Sequence, residues 1–102
     1  MGCPVILTPQ AQTDLEEIVR FIARDNPDRA RSFGNQLVDK ALSVGSFPEM
    51  GTVVRELRDP AVRELPMGSY RIIYEVIKHP TPTVYVLRFW NASRDYPRIK
   101  KA

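Results

Sequence analysis

Two helix-start signals, Thr8-Pro9 and Asn26-Pro27, constrain the fold of this chain more than any other feature of its sequence. A hydroxyl or amide side chain can cap the free amides of a first helical turn, and proline fits the first helical position. Apolar residues recur at helical spacing after each signal. The two stripes are Ala11, Leu15, Ile18, Val19 and Ile22, and then Ala30, Phe33, Leu37, Ala41 and Leu42. The chain is therefore predicted to form helices from residue 9 to about 24 and from residue 26 to about 44.

The link between the two predicted helices is so short that they must pack as an antiparallel hairpin. The polar face of the first helix is assigned to Asp14, Glu16, Glu17 and Arg20. Each helix has one apolar face, so each needs a sheet or another helix to cover it.

The apolar pattern changes in the second half of the chain to the alternation and β-branched composition of strands. Strands are predicted at residues 53–57, 61–66, 70–77 and 83–90, after a short first strand at residues 5–7. The predicted fold class is α+β: an N-terminal strand, the antiparallel helical hairpin, then a mostly antiparallel three- to four-stranded sheet, in one domain over residues 1–102.

The last strand carries both core and polar candidates. Leu87 and Phe89 are expected to lie under the helices. Arg88 and Trp90 are expected on the opposite face of the sheet, beside Arg71 if the two strands pair.

Composition argues against several functional classes. The chain has one cysteine, Cys3, and one histidine, His79, so neither an internal disulfide, a zinc site nor a Cys–His catalytic pair is expected. The five glycines are scattered and form no phosphate-binding loop. No apolar run approaches the roughly eighteen residues of a membrane span. We therefore expect no metal, no cofactor, no membrane partner and a cytoplasmic location.

The net charge of +3 is unevenly distributed. Residues 1–54 carry a net −2, whereas residues 55–102 carry a net +5. The basic second half suits an anionic partner such as nucleic acid or an acidic protein, although a solubilising surface with a basic tail explains it equally well.

A set of short motifs in a fixed order covers nearly the whole chain. They are Ala11-x-x-Asp14-Leu15-x-x-Ile18, Ala30-x-x-Phe33, Leu42 through Pro48-x-x-Gly51, Arg63-Glu64-Leu65, the strand from Tyr70 to Val76, and Val86-Leu87-Arg88 followed by Arg94-Asp95. In this order the chain resembles the RelE/ParE superfamily of toxins from bacterial type II toxin–antitoxin systems, which includes plasmid stabilisation proteins. The Arg-Asp pair after the last strand is more similar to ParE-like members.

This resemblance implies a compact toxin whose partner is a cognate antitoxin, with a C-terminal antitoxin segment that wraps the toxin and neutralises it. It also implies one of two targets. RelE-like members enter the ribosomal A site and cleave mRNA, whereas ParE-like members poison DNA gyrase. A third alternative is a degenerate toxin that only binds its antitoxin. The oligomeric state is not implied.

The residues that would carry either activity lie in the basic second half. Metal-free RNA cleavage needs a base, a stabilised phosphorane and a proton for the leaving group. The candidates for an RNase are Arg71, Arg88, Arg94 and Tyr96, and the candidates for binding are Arg63, Arg71, Arg88, Trp90, Asn91, Arg94 and Asp95. Arginine suits phosphate but, with a pKa above about 12, is a poor acid or base.

Two departures from the RNase pattern favour the ParE-like alternative. RelE-like RNases typically carry lysines on the strand that here reads Val62-Arg63-Glu64-Leu65. They also carry a basic or histidine residue after the last strand, where this chain has Asn91-Ala92-Ser93. Gyrase binding is therefore preferred to ribosome-dependent mRNA cleavage.

Purely structural roles are open for the same side chains. Arg71 can pair with Glu64 or Glu75, and Asp95 can hold Arg94 in a local ion pair. Trp90 can serve as a lid on the core. Lys100-Lys101 is most simply a frayed basic tail.

Overall fold

The computed structural model describes residues 2–102 as a five-stranded sheet with two helices packed on one face. In chain order the elements are β1 (Val5–Leu7), α1 (Pro9–Ala23), α2 (Pro27–Ser43), β2 (Thr52–Val53), a 3₁₀ turn (Arg55–Leu57), β3 (Val62–Met67), β4 (Tyr70–Ile77) and β5 (Thr83–Asn91). The strand order is β1-β5-β4-β3-β2, with β1 parallel to β5 and every other pairing antiparallel. The predicted α+β class is confirmed.

Both predicted helix starts form as their sequences indicate. The Thr8 hydroxyl accepts a hydrogen bond from the Ala11 amide at 3.2 Å, and the Asn26 side chain accepts one from the Arg29 amide at 3.0 Å. The helices then pack closely where Gly34 of α2 meets α1, because a Cβ there would lie 2.9 Å from a Val19 methyl. Neither helix is long and apolar enough to cross a membrane.

The inner face of the sheet, which faces the helices, carries the larger core. Its buried members are Ala11, Ile18, Leu37, Ala41, Val44, Leu65, Ile72, Tyr74, Val84, Val86 and Phe89. The stripes of both helices supply much of this cluster, as their spacing predicts. Leu42 is an exception, since it is half exposed and packs outside the core.

The outer face of the sheet carries a second, smaller core of Val54, Val62, Ile73 and Leu87. The expectation that Leu87 lies under the helices is therefore wrong. In the β4–β5 register Ile73 is opposite Arg88, and Tyr74 is opposite Val86. Leu87 is thus the extra residue of a β-bulge, and the bulge moves it out of simple alternation.

The strand predicted at residues 53–57 is also largely wrong. Only Thr52–Val53 pairs as β2, and residues Arg55–Leu57 form a 3₁₀ turn. The turn brings Val54, which is fully buried, and Leu57 into the outer-face core, while Arg58 ends the turn with a left-handed backbone, φ 51°. The free energy gained by burying Val54 and Leu57 outweighs the strand propensity of this segment.

Tyr74 anchors the loop that follows α2 to the inner face. Its hydroxyl donates to the Pro48 carbonyl at 2.8 Å and accepts from the Gly51 amide at 2.9 Å. A Cβ on Gly51 would lie 2.7 Å from that hydroxyl, so only glycine fits this approach. Burial raises the pKa of Tyr74, which keeps the phenol protonated and able to donate.

Tyr74→Phe should lower the free energy of unfolding by about 1–3 kcal/mol, because it leaves the buried Gly51 amide without an acceptor. Urea denaturation of both proteins measures the difference. Tyr85→Phe is the matched control, since the Tyr85 hydroxyl makes no hydrogen bond among residues 2–102. An equal effect of both substitutions would contradict the anchoring role.

Candidate functional site

The pairing of β4 with β5 brings most of the predicted site residues to the outer face. Arg71 lies directly opposite Trp90, and Ile73 lies opposite Arg88. Arg71, Arg88 and Trp90 therefore share one face, as expected. The segment after β5, residues 92–102, crosses the same face, and its Tyr96 and Ile99 pack on the outer core.

A buried ion pair between α1 and β5 borders this surface. The Asp14 carboxylate receives two hydrogen bonds from the Arg88 guanidinium, at 2.7 and 2.9 Å. It also accepts from the Phe89 amide at 3.1 Å and the Gln10 side-chain amide at 3.1 Å. The side chains of Asp14 and Arg88 are only 6% and 15% exposed.

Asp14 substitutes for a missing strand at the edge of β5. The register of β1 with β5 ends at Leu7 opposite Val86. Beyond that point the edge amide of Phe89 would be unpaired, and the Asp14 carboxylate accepts it instead. The assignment of Asp14 to the polar face of the first helix is therefore wrong. Its spacing from Ala11 and Ile18, three and four residues, is the signal that places it on the buried stripe.

Trp90 organises the cationic part of the site. The Arg88 guanidinium carbon lies 4.8 Å from the ring centroid and that of Arg94 lies 4.7 Å from it. The indole NH donates to the Asp95 carbonyl at 2.7 Å, which fixes the turn after β5. Within residues 2–102 Arg94 makes no ion pair, so the pairing considered for Arg94 and Asp95 is not formed. Arg94 thus presents an exposed guanidinium on an aromatic support.

Arg71 belongs to a closed network with Glu64 and Tyr96. Its guanidinium donates to the Glu64 carboxylate at 3.1 Å and to the Tyr96 hydroxyl at 2.5 Å. The Tyr96 hydroxyl in turn donates to the other Glu64 oxygen at 2.5 Å. The pairing of Arg71 with Glu64, considered from the sequence, is therefore present, and the charge of Arg71 is neutralised locally.

The same network determines what Tyr96 can do chemically. Burial, followed by the hydrogen bond to Glu64, raises the pKa of Tyr96 to about 12. A phenol with that pKa is protonated at neutral pH and cannot serve as a general base.

Asn91 and Arg63, two further predicted site residues, lie in different places. The Asn91 side chain accepts from the Ser93 amide at 2.9 Å and the Ser93 hydroxyl at 2.8 Å, which closes the turn at the end of β5. Arg63 is opposite Tyr74 and therefore faces the inner side, where it donates to the Gly51 carbonyl at 2.7 Å. Arg63 is thus not brought together with Arg71, and its role in binding stays a prediction.

The end of the chain is tied to the sheet. Lys101 pairs with Asp59 and lies 3.6 Å from a Glu75 oxygen, and the Ala102 amide donates to Glu75 at 2.9 Å. The simplest expectation for Lys100-Lys101, a frayed tail, does not hold for Lys101. These contacts give the buried Glu75 carboxylate its partners.

A groove of about 480 Å³ opens between α1 and the end of β5. Ile18 and Phe21 line its helix side, while Trp90 and Arg94 line its strand side. Phe21 is 64% exposed. No group of three His, Cys, Asp or Glu residues placed to hold a metal ion occurs within residues 2–102.

Comparison with known proteins identifies the family to which this chain belongs. The family described as ParE toxin of the type II toxin–antitoxin system, parDE, matches residues 5–96. The chain therefore belongs to the ParE toxin family, within the wider RelE/ParE superfamily, and is a toxin of that type II class. No curated protein is significantly similar to it in sequence.

Two solved structures share the fold. The chromosomal ParDE toxin–antitoxin system from P. aeruginosa superposes with a TM-score of 0.71 at 17% identity, covering 88% of this chain and 96% of that one. The toxin–antitoxin complex RelBE2 from Mycobacterium tuberculosis superposes with a TM-score of 0.64 at 23% identity, covering 89% and 99%. Both likenesses establish the fold.

Removal of the Asp14 carboxylate should destabilise the fold. Asp14→Ala leaves the largely buried Arg88 charge without a carboxylate and the Phe89 amide without an acceptor, so we expect the free energy of unfolding to fall by about 3–5 kcal/mol. Urea denaturation measures it. The control, Asp28→Ala, removes an exposed pair with Arg31 and an acidic side chain from the first turn of α2, and should cost less than about 1 kcal/mol. Similar losses for the two variants would contradict the role of Asp14.

The ionisation of Tyr96 tests its network. In the difference between tyrosinate absorbance titrations of wild type and Tyr96→Phe, we expect a midpoint near pH 12 in place of the ordinary 10.0. Because the folded chain holds this proton more tightly, the network stabilises the fold fully below pH 10 and loses that effect as pH rises towards 12. Glu64→Gln should lower the midpoint. A wild-type midpoint near 10 would contradict the network.

Proposed function

We propose that this chain is a growth-inhibiting cytoplasmic toxin that acts by binding DNA gyrase and is neutralised by a cognate antitoxin. One observation carries the proposal. Three of the four candidate groups for RNA chemistry, Arg71, Arg88 and Tyr96, are occupied by partners within the chain, whereas the fourth, Arg94, presents a free cation beside Trp90.

RNA cleavage finds little support at this surface. Arg71 and Arg88 are each neutralised by a carboxylate, which weakens them as phosphate ligands. Tyr96 has a pKa near 12 and uses its hydroxyl to donate a hydrogen bond to Glu64. His79 lies in the exposed connection between β4 and β5, away from the end of the strands that carries Trp90. None of these four side chains is therefore placed or suited to move a proton at this surface at neutral pH.

Binding fits the same surface better. Tryptophan and arginine are the side chains most enriched at the energetic centres of protein interfaces. Trp90 is held by its hydrogen bond to the Asp95 carbonyl and by the guanidinium of Arg88, which Asp14 fixes in turn. A rigid Trp90–Arg94 pair beside the exposed Phe21 offers an apolar anchor and a cation to a protein partner.

An antitoxin partner is supported by the family and by the two structural neighbours, which are a ParDE toxin–antitoxin system and a RelBE2 toxin–antitoxin complex. We propose that the antitoxin is encoded beside this chain and that its binding abolishes inhibition. Co-expression of the neighbouring small gene should restore growth.

Arg94→Ala should reduce toxicity with little effect on folding. Loss of an arginine at an energetic centre weakens binding about thirtyfold. Growth arrest after induction without antitoxin, and inhibition of plasmid supercoiling by purified DNA gyrase, measure the effect. Arg31→Ala, an exposed arginine on α2, is the matched control.

The outcomes separate the alternatives. Inhibited supercoiling with intact mRNA supports the proposal. Codon-positioned cuts in primer extension on mRNA would instead identify a ribosome-dependent endoribonuclease. Normal growth at confirmed soluble expression, together with antitoxin binding, would identify a degenerate toxin.

A further inference from the structure

A second concave surface lies apart from the Trp90 site. It is a cleft of about 660 Å³ between the loop after α2 and the end of β4. Its lining residues are Cys3, Ser46, Phe47, Pro48, Glu49, Met50, Val76, Lys78 and Pro82. It shares no lining residue with the groove beside Trp90. Tyr70, which lines the groove, begins β4, whereas Lys78, which lines the cleft, follows its last residue, so the two surfaces lie at opposite ends of that strand.

The cleft is bordered by two neighbouring apolar side chains that are exposed. Phe47 is 69% exposed and Met50 is 40% exposed, both within one turn of chain. Aromatic residues and methionine are enriched at protein interfaces, and contiguous exposed apolar surface marks interaction sites. The cleft thus offers both a pocket and a ring able to fill one.

The loop that carries Phe47 is fixed before any partner arrives. The Tyr74 hydroxyl holds Pro48 and Gly51, and Arg63 donates to the Gly51 carbonyl. The Phe47 amide donates to the Val44 carbonyl at 3.1 Å. A fixed loop loses little conformational entropy on association, so an exposed aromatic on it is well suited to binding.

The charges of the cleft indicate the occupant. Its lining has one acid, Glu49, and one base, Lys78, both exposed and neither in an ion pair within residues 2–102. A surface with one charge of each sign can pair with a second copy of itself, because a two-fold axis that passes between the two charges places each opposite the other sign. Two-fold interfaces require that self-complementarity, because residue i meets residue j and j meets i.

We propose that two copies of this chain associate through this cleft about a two-fold axis. Phe47 of each copy enters the cleft of the other, and Glu49 of each pairs with Lys78 of the other. The dimer leaves both Trp90 grooves free, so each toxin can still engage a target or antitoxin.

Sedimentation velocity of the full chain over a wide concentration range tests the proposal. We expect a monomer–dimer equilibrium in the wild type. Phe47→Ala should weaken it about thirtyfold, the loss typical of a buried aromatic anchor. Phe21→Ala, which removes the other strongly exposed phenylalanine, should leave it unchanged. Circular dichroism confirms that both variants fold.

Charge exchange tests the pairing itself. Glu49→Lys and Lys78→Glu should each weaken the dimer, because each places like charges opposite one another. The double variant Glu49→Lys/Lys78→Glu recreates both pairs with reversed polarity and should restore association. A wild type that stays monomeric at every concentration, a dimer insensitive to Phe47→Ala, or a double variant no better than the single ones would overturn the proposal.

Discussion

The ion pair of Asp14 and Arg88 is the interaction on which the arrangement of this toxin depends. It joins the helical hairpin to the strand that carries the site, at the point where β1 no longer covers β5. Two charges out of water destabilise a fold unless their remaining bonding capacity is used. Here the Phe89 amide and the Gln10 side chain donate further hydrogen bonds to the Asp14 carboxylate. The pair therefore closes a sheet edge as well as orienting Arg88.

The bulge in β5 connects this ion pair to the rest of the candidate site. Because Leu87 is the extra residue, Arg88 stands opposite Ile73, and its guanidinium reaches both Asp14 and the ring of Trp90. The net +5 of the second half consequently overstates the free cationic surface. Arg71, Arg88 and Lys101 are neutralised within the chain, and Arg94 is the cation that the fold leaves available beside the groove.

Local signals in the sequence were sufficient for the helices and for β4, because caps, spacing and β-branched runs act within a few residues. They failed where a contact with a residue far along the chain determines the local structure. Aspartate is usually found at the surface, and the burial of Asp14 depends on a partner seventy-four positions away. Leu87 follows simple alternation until the bulge shifts it, and residues 55–57 form a turn because the outer core recruits Val54 and Leu57. The spacing of apolar residues along the chain does not reveal a bulge or these long-range contacts.

Two tyrosines then fix the two loops on which the proposed interactions depend. Tyr74 holds the loop that carries Phe47 from the inner face, and Tyr96 fastens the segment after β5 to Arg71 and Glu64 on the outer face. Burial raises the pKa of both phenols, so each remains a hydrogen-bond donor at neutral pH. A tyrosine that must donate to hold a loop cannot also accept a proton in catalysis. The same hydrogen bonds therefore give this small sheet fixed loops on both faces, as the proposed binding function requires.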